Sequence, residues 1–246
     1  KELKNYDTHF IGKTVYCNCD DPFLSNFVKY FVTHFEKLGV KKIIASCYSG
    51  EGAPSHKAIA WEFDGKERWV ELKGNGDFRS DECVELLKSA DIVVTNPPFS
   101  IFRDYVSLLI ENKKDFIILG NQNAITYRDF FRFIQNGTVK LGVGKSKAMF
   151  FTVPDGFKDY QRGVVKDGIV YVRIQPVTWF TTLDSGVKNK PLHLTCLYDE
   201  TKYPTYDNYD AINVDKVKDI PKDYFGKMGV PITYLNRHNG KVFEIL

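Results

Sequence analysis

The sequence lacks a membrane-spanning segment, a signal peptide and a paired pattern of cysteines. No apolar run approaches the roughly 20 residues that cross a bilayer, and no stretch has the organisation of a signal peptide. The five cysteines are an odd number without a pair of CxxC units, and Cys17 and Cys19 are too closely spaced for zinc. These absences argue against a secreted disulfide scaffold or a zinc ribbon, and they predict a protein of the reducing cytoplasm.

A strong charge of either sign is also missing. The 34 Lys and Arg residues and 31 Asp and Glu residues leave a net charge of +3, which permits a nucleic-acid partner without requiring one, because a local basic patch matters more than the total. Aromatic residues, by contrast, make up 15% of the chain. They supply either stacking surfaces for bases or a core rich in Phe. At 246 residues the chain can bury one substantial core with a small appended region.

Strand and helix patterns alternate along the first 180 residues. We predict strands over residues 14–17, 42–46, 91–94 and 116–120, and helices over residues 20–37, 81–89, 101–112 and 127–135. This alternation of strands and helices predicts an α/β fold of the Rossmann-like type with a mostly parallel sheet. Alternating residues over 58–63 and 68–72 predict a hairpin around Asp64-Gly65. Two late strands, over 149–153 and 168–180, predict an antiparallel edge.

The stretch over residues 91–99, Asp-Ile-Val-Val-Thr-Asn-Pro-Pro-Phe, joins a short buried strand to a stiff loop. Its first part is mostly apolar and β-branched, as in the centre of a parallel sheet. Pro97 and Pro98 have no N–H to continue the ladder, and proline holds the preceding residue extended. The loop therefore presents an amide, two carbonyls and an aromatic ring at the carboxyl end of a strand, where open α/β sheets bind ligands.

These groups suit methylation of the exocyclic amino group of a base. Such an amine is a poor nucleophile, because its lone pair is delocalised into the ring. The side-chain oxygen of Asn96 and the carbonyl of Pro97 can accept its two hydrogens and direct the lone pair at a methyl donor. Phe99 can stack on a base that has left its helix. The purely structural alternative is a Pro-Pro turn with Phe99 packed in the core.

Two further loops carry candidate ligand-binding residues. The strand over 42–46, which we expect to be the first central strand, runs from Ser46 through Tyr48 into a degenerate glycine-rich turn, where backbone can approach a ligand. Residues 74–78 bring Asp77 and Phe78 to a loop before a helix, as binding an adenine amino group and covering its ring would require. Helix capping is the alternative for Asp77. For an acid that holds a ribose, three residues remain open: Glu62, Asp64 and Glu71.

The loop Asn96-Pro97-Pro98-Phe99 resembles the catalytic motif of methyltransferases that use S-adenosylmethionine to modify amino groups, and Asn in first place resembles the adenine-N6 enzymes. Four blocks resemble the EcoRI-type adenine-specific DNA methyltransferase family, namely residues 16–23, 74–80, 96–105 and 229–235. The resemblance covers nearly the whole chain.

The resemblance implies direct methyl transfer from S-adenosylmethionine to a flipped-out adenine in double-stranded DNA, without a metal and with a restriction endonuclease as a potential partner. Asn96, Pro97, Pro98 and Phe99 would be catalytic. It places Asp20, Asp21 and Pro22 beside the methionine end of the donor, although simple helix capping by the two acids is an equal alternative. Ser46, Tyr48, Asp77, Phe78 and Asn96 complete the expected cofactor site. We expect residues 1–180 to form this catalytic domain.

Residues 181–246 differ in character, because helical periodicity fades and lysines alternate with tyrosines. We predict that this region takes part in target recognition, and that it contacts DNA through Lys188, Lys190, Lys202 and Tyr203. A solvated loop with scattered aromatic residues is the alternative.

Two other functions remain open from the sequence. One is methylation of RNA bases or protein glutamine with the same Asn-Pro-Pro-aromatic chemistry. The other is a non-catalytic DNA-binding subunit, which the degenerate glycine turn suggests.

Overall fold

The computed structural model of the chain describes residues 1–50, 58–144, 147–152, 163–166, 168–186, 192–238, 240 and 242–246. The chain divides into two compact units, Lys1–Ser185 and Gly186–Leu246.

One large sheet forms the first unit. Its strands are β1 (Thr14–Asn18), β2 (Lys42–Ser46), β3 (Ile59–Phe63), β4 (Glu67–Glu71), β5 (Ile92–Thr95), β6 (Asp115–Asn121), β7 (Lys140–Leu141), β8 (Lys147–Thr152), β9 (Gly163–Lys166) and β10 (Ile169–Thr181). The order along the sheet is β4-β3-β2-β1-β5-β6-β10-β7, and β8 and β9 pair with β10. The four strands β2, β1, β5 and β6 are parallel.

Both edges of the sheet are antiparallel. At one edge β3 pairs with β2, and the predicted hairpin around Asp64-Gly65 adds β4. At the other edge β10 pairs with β6 and β7. The predicted α/β fold with a parallel sheet and an antiparallel edge is thus confirmed, and the hairpin forms a second antiparallel edge.

The helices are α1 (Asn26–Thr33), α2 (Phe35–Leu38), α3 (Asp81–Ser89), α4 (Phe102–Glu111) and α5 (Arg128–Gln135). Short 3-10 helices lie at Leu3–Phe10, Phe99–Ile101, Gln122–Thr126, Val217–Asp219 and Ile232–Arg237. No helix in the described part of the chain is long and apolar enough to span a membrane.

The prediction of one helix over 20–37 was wrong at its start and in its continuity. Helix α1 begins after Ser25, whose hydroxyl accepts the N–H groups of Phe27 and Val28, and the helical run is interrupted at His34. Asp21 instead forms a turn, because its carboxylate accepts the N–H groups of two residues that follow it. The adjacent acid, Asp20, is directed into the protein rather than toward a helix end.

Side chains of β1 alternate between two buried faces. Val15 and Cys17 pack in the core cluster that contains Phe10 and Phe31. On the opposite face the hydroxyl of Tyr16 lies 2.6 Å from Ser46 Oγ. Layers on both faces bury β1 completely and place its end, Asn18, inside the molecule.

The second unit contains a three-stranded sheet of β11 (Thr205–Tyr206), β12 (Tyr209–Asn213) and β13 (Met228–Gly229). Its core is small and rich in tyrosine and aliphatic residues: Tyr203, Ile212, Val214, Ile220 and Tyr234. This unit therefore has its own apolar centre.

Candidate active site

The strand order reverses between β1 and β5. From β1 the chain passes to β2 on one side and later returns to β5 on the other side. Such a reversal opens a crevice at the carboxyl ends of the strands, where open α/β sheets bind ligands. We expected residues 42–46 to be the first central strand, but β1 lies between that strand and β5. The turn that begins at Cys19 therefore occupies the position next to the Asn96 loop.

This turn has an unusual backbone conformation for its sequence. Cys19 has φ of +68°, a left-handed value that favours glycine. The backbone N–H of Asp20 then donates to the carbonyl of Ser46 at 3.1 Å. The turn after β1 is thus connected to the end of β2, and nothing in the residue types signalled this geometry.

Asp20 connects the end of β1 to the Asn96 loop. The residue is only 9% exposed. Its Oδ1 accepts a hydrogen bond from Ser25 Oγ at 2.7 Å, and its Oδ2 accepts one from Thr95 Oγ1 at 2.5 Å. The carboxylate also accepts the backbone N–H of Asn96. Burial raises the pKa of Asp20 to about 6, although these three hydrogen bonds act in the opposite direction.

The Asn96 loop leaves its own polar groups available. The side chain of Asn96 is exposed and makes no hydrogen bond to a described residue. The carbonyl of Pro98 accepts the N–H of Ile101 at 3.3 Å, whereas the carbonyl of Pro97 has no such partner within the described ranges. The two oxygens expected to accept amine hydrogens thus both lack a hydrogen-bond partner among the described residues.

Phe99 is 38% exposed and begins a short 3-10 helix. Its ring has no aromatic partner among the described residues, so the core packing considered as an alternative is not seen. One turn later Arg103 lies 5.2 Å from the ring centre of Tyr127, which is also exposed. The loop and the start of α4 thus form a surface with available aromatic groups.

The loops that follow β2 and precede α3 lie against each other. The N–H of Ser49 donates to the carbonyl of Asn75 at 2.8 Å. A Cβ atom at Gly76 would lie 2.2 Å from the carbonyl oxygen of Cys47, so only glycine permits this close approach. The structure thereby brings the neighbourhood of Tyr48 and that of Asp77 together.

Asp77 and Phe78 have different surroundings. The carboxylate of Asp77 is paired with Arg79, with Nε–Oδ1 at 2.9 Å and Nη2–Oδ2 at 2.7 Å. The side-chain hydrogen bond from Arg79 lowers the pKa of Asp77. Phe78 is buried and packs edge-on against Tyr105 at 5.0 Å between ring centroids. The ring of Phe78 therefore belongs to the interior, while Asp77 is partly exposed.

The other expected cofactor residues are distributed between surface and interior. Tyr48 is exposed, Asp21 is partly buried, and Pro22 and Ser46 are buried. The hydroxyl of Ser46 is engaged with Tyr16, and its carbonyl with the turn after β1. Ser46 thus supports the turn, and Tyr48 is the residue of this pair with an accessible side chain.

Two buried polar groups near the end of β1 lack a hydrogen-bond partner among the described residues: the amide nitrogen of Asn18 and the hydroxyl of Tyr105. Burial raises the pKa of Tyr105, and the nearby carboxylate of Asp20 raises it further.

Sequence reasoning did not identify Asn18, Thr95 or Ser25 as site residues. The only signal was their closeness to the motifs, because Thr95 directly precedes Asn96 and Asn18 directly precedes the turn. Their roles depend on contacts across the sheet.

The three acids considered for ribose binding do not all lie at the same end of the strands. Asp64 follows Phe63, which pairs with Ile43 near the amino end of β2, and Arg68 binds its carboxylate. Glu62 forms an ion pair with Lys42 at 2.7 Å. Glu71 pairs across from Ile59, close to the carboxyl end of β2. Of these three, only Glu71 lies at the carboxyl ends of the parallel strands, where the Asn96 loop also lies.

The four residues predicted to contact DNA differ in where the structure places them. Lys188 and Lys190 lie outside the described residues. Lys202 is exposed and pairs with Asp199 at 3.3 Å. The stacking role of Tyr203 was wrong, because the residue is 6% exposed and its hydroxyl donates to the carbonyl of Asp219 at 2.7 Å. It belongs to the core of the second unit.

No cluster of three or more His, Cys, Asp or Glu side chains suited to a metal ion occurs within the described ranges.

A Rossmann-like sheet with an Asn-Pro-Pro-Phe loop at its point of reversal agrees with the methyltransferase resemblance drawn from the sequence. The family model described as adenine-specific methyltransferase EcoRI matches residues 1–246. The chain belongs to this family, which confirms the resemblance drawn from the four sequence blocks.

Curated relatives agree with the family. The type II methyltransferase M.EcoRI of Escherichia coli is 45% identical over 266 residues, which cover 100% of this chain and 81% of that protein. M.MpnI of Mycoplasma pneumoniae is 42% identical and M.MgeORF184P of Mycoplasma genitalium is 40% identical, each over 100% of this chain and 78% of the relative. The chain is accordingly a methyltransferase of the type II class.

Proposed function

We propose that this protein transfers a methyl group from S-adenosylmethionine to the N6 amino group of adenine in double-stranded DNA, after the base has left the helix. The observation that carries this proposal is a pair of oxygens at the point of strand reversal, Asn96 Oδ1 and the carbonyl of Pro97, neither of which has a hydrogen-bond partner within the described ranges. An amino group on a base has two hydrogens, and this pair accepts both.

The donor supplies an electrophilic methyl group on a positively charged sulfur. Asp77, Tyr48 and the unpartnered groups of Asn18 and Tyr105 would hold its polar and aromatic parts. The carboxylates of Asp20 and Asp77 also favour a positive charge nearby. The chain's own catalytic contribution is positioning, because Asn96 and Pro97 orient the amine and draw its lone pair out of conjugation.

The flipped base needs a surface that replaces its lost stacking. Phe99 offers an exposed ring next to Asn96 for this purpose. Adenine would then be held by its edge at Asn96 and by its face at Phe99.

The proposal is tested by offering the protein duplex DNA, RNA and protein in parallel, with tritiated S-adenosylmethionine as donor. We expect label in DNA alone, and N6-methyladenine as the labelled nucleoside after digestion. Label in RNA or in protein glutamine would replace the proposed substrate. Titration calorimetry with the donor tests the non-catalytic alternative, which requires that no binding heat is observed.

Replacing Phe99 tests base stacking. We expect Phe99→Trp to retain activity and Phe99→Ala to lose about tenfold or more, since stacking of one base contributes about 1–3 kcal/mol. Phe99→Leu is the matched control, because it keeps apolar bulk without a ring. Equal rates for the Leu variant and the wild type, measured as methyl transfer to a short duplex, would contradict stacking.

Replacing Asp77 tests the donor site. We expect Asp77→Ala to weaken binding of S-adenosylmethionine about tenfold, because a hydrogen bond to a charged group contributes about 1.5–3 kcal/mol. Asp81→Ala is a suitable control, since Asp81 is an exposed acid at the start of α3. Unchanged donor affinity in calorimetry, for a variant with wild-type melting temperature, would remove Asp77 from the site.

A further inference from the structure

The second unit carries an exposed surface of aromatic and basic side chains that is distinct from the four residues expected to contact DNA. We define it as the tyrosine–lysine face: Tyr206, Tyr209, Lys222, Phe225 and Lys227. All five are exposed. They lie on the β11–β12 hairpin and on the segment that leads into β13.

The tyrosines of this face are held in place. The hydroxyl of Tyr206 donates to Asn213 Oδ1 at 2.8 Å, and its ring covers Gly229, where a Cβ atom would lie 2.7 Å from Cε2. Lys227 Nζ lies 5.2 Å from the ring centre of Tyr209. The hairpin and β13 therefore form one continuous surface.

Phe225 stands out from this surface. It is 98% exposed, whereas the preceding Tyr224 packs on Tyr198 with ring centroids 4.7 Å apart. The segment is further anchored where the N–H of Lys222 donates to the carbonyl of Cys196 at 3.0 Å and where Asp223 accepts the N–H of Tyr198 at 2.8 Å. On the other side the carbonyl of Lys227 accepts the N–H of Ile212 at 3.1 Å. The backbone is thus held on both sides of Phe225, whose ring projects into solvent.

The charges of the face are available to an anionic partner. Lys222 and Lys227 form no ion pair with any residue that the structure describes. The acid between them in sequence, Asp223, is occupied by a backbone N–H. Asp207 and Asp210 of the hairpin are exposed acids, so the positive charge of the face lies at Lys222 and Lys227, on either side of Phe225.

We propose that the tyrosine–lysine face binds duplex DNA and that Phe225 inserts between two stacked base pairs. This inference rests on the proposed function, because it takes DNA as the substrate. A single projecting apolar ring between basic residues is the arrangement of side chains that wedge into base steps, where the apolar group unstacks the bases and the cations bind phosphates. A protein partner is less suited, because one isolated ring with adjacent lysines is not a contiguous apolar patch.

The test compares Phe225→Ala with Leu197→Ala, which removes another exposed apolar side chain from the same unit. Binding to a duplex that the wild type methylates is measured by fluorescence anisotropy, and bending by energy transfer between labels at the duplex ends. We expect Phe225→Ala to weaken binding about tenfold and to reduce bending, and Leu197→Ala to change neither.

Phe225→Trp provides a direct probe of insertion. The wild type already contains three tryptophans, so the fluorescence of the new one is obtained by subtracting the wild-type signal. We expect duplex DNA to quench this added fluorescence, because the inserted ring stacks on bases. Replacing Lys222 and Lys227 together with Gln should reduce the slope of log affinity against log salt by about 2, at about 0.9 for each phosphate contact. Lys37→Gln, an exposed lysine of α2, is the control and should leave the slope unchanged.

Two failures are distinguishable. If the wild type neither binds nor methylates duplex DNA, the proposed function is wrong and the face has no DNA role. If the wild type methylates DNA while Phe225→Ala binds and bends it as well as the wild type, only the wedge is overturned. Unquenched fluorescence of Phe225→Trp in a saturated complex would also overturn insertion.

Discussion

Asn96→Ala is expected to lower turnover by about 100-fold or more and to leave donor affinity nearly unchanged. Asn96 is exposed and its side chain has no hydrogen-bond partner in the part of the chain that the structure describes, so its stabilising effect is available to the target amine. That effect is largest as charge develops on the amine nitrogen, and removal of one preorganised polar contact of this kind lowers turnover by about 100- to 1,000-fold. Single-turnover rates at saturating donor measure it directly.

The Asn96 experiment has two informative companions. Asn96→Asp keeps an acceptor oxygen and should retain more turnover than the Ala variant. Asn26→Ala removes an exposed Asn at the start of α1 and should behave as the wild type. A folded Asn96→Ala protein that methylates DNA at the wild-type rate would reduce the Asn-Pro-Pro-Phe loop to a turn.

Asp20→Asn is expected to lower turnover by about 10- to 100-fold without lowering thermal stability at pH 8. Asp20 accepts hydrogen bonds from Ser25, Thr95 and the backbone N–H of Asn96. An amide has one acceptor oxygen instead of two and carries no charge. The Asn96 loop therefore loses a hydrogen bond to a charged group, and such a bond holds the loop in place by about 1.5–3 kcal/mol. In this view Asp20 positions the catalytic loop and does not itself contact the base.

The pH dependence separates this role from simple structural support. Burial raises the pKa of Asp20 to about 6, so protonation should lower wild-type turnover below about pH 6. Burial also raises the pKa values of the nearby Cys17, Cys19 and Tyr105, which therefore stay neutral in that range. The variant with Asn at position 20 should lack the acidic limb of the profile.

The effect on stability has the opposite sign. Because the folded-state pKa of Asp20 lies above its ordinary value of 3.8, its contribution to stability is fully present below about pH 4 and is lost as the pH rises through 6. A shift of about two units corresponds to about 3 kcal/mol. The unfolding free energy of the wild type, relative to Asp20→Asn, should therefore fall between pH 4 and pH 6.

Two results would contradict the anchoring role of Asp20. Superimposable pH profiles for the wild type and Asp20→Asn would remove it. Weakened donor binding with unchanged turnover at saturating donor would instead support the cofactor contact that the family resemblance implies.

Local patterns predicted most of the first unit. Helix α3 lies where its pattern indicated, since Ser80 provides the N-cap and Asp81 and Glu82 occupy the first turn. The predicted hairpin formed around Asp64-Gly65, where Gly65 has φ of +100°. The start of helix α1 was mispredicted because Asp20 does not cap a helix. Its carboxylate accepts a hydrogen bond from Thr95, 75 positions away along the chain, and no local rule predicts that contact.

The sequence by itself identified the loop on which the proposed chemistry depends: a strand, an amide, two prolines and an aromatic ring in an order whose local stereochemistry leaves few conformations. The Pro-Pro pair predicts a stiff loop wherever it occurs, because proline constrains its own φ and the residue before it. Tertiary structure alone decided what surrounds that loop. It placed β1 next to β5, buried Asp20 beneath Asn96, removed Tyr203 from the surface and left Phe225 in solvent. These outcomes depend on pairing between strands and on competition for burial among distant side chains, and residue type and spacing along the chain do not encode either one locally.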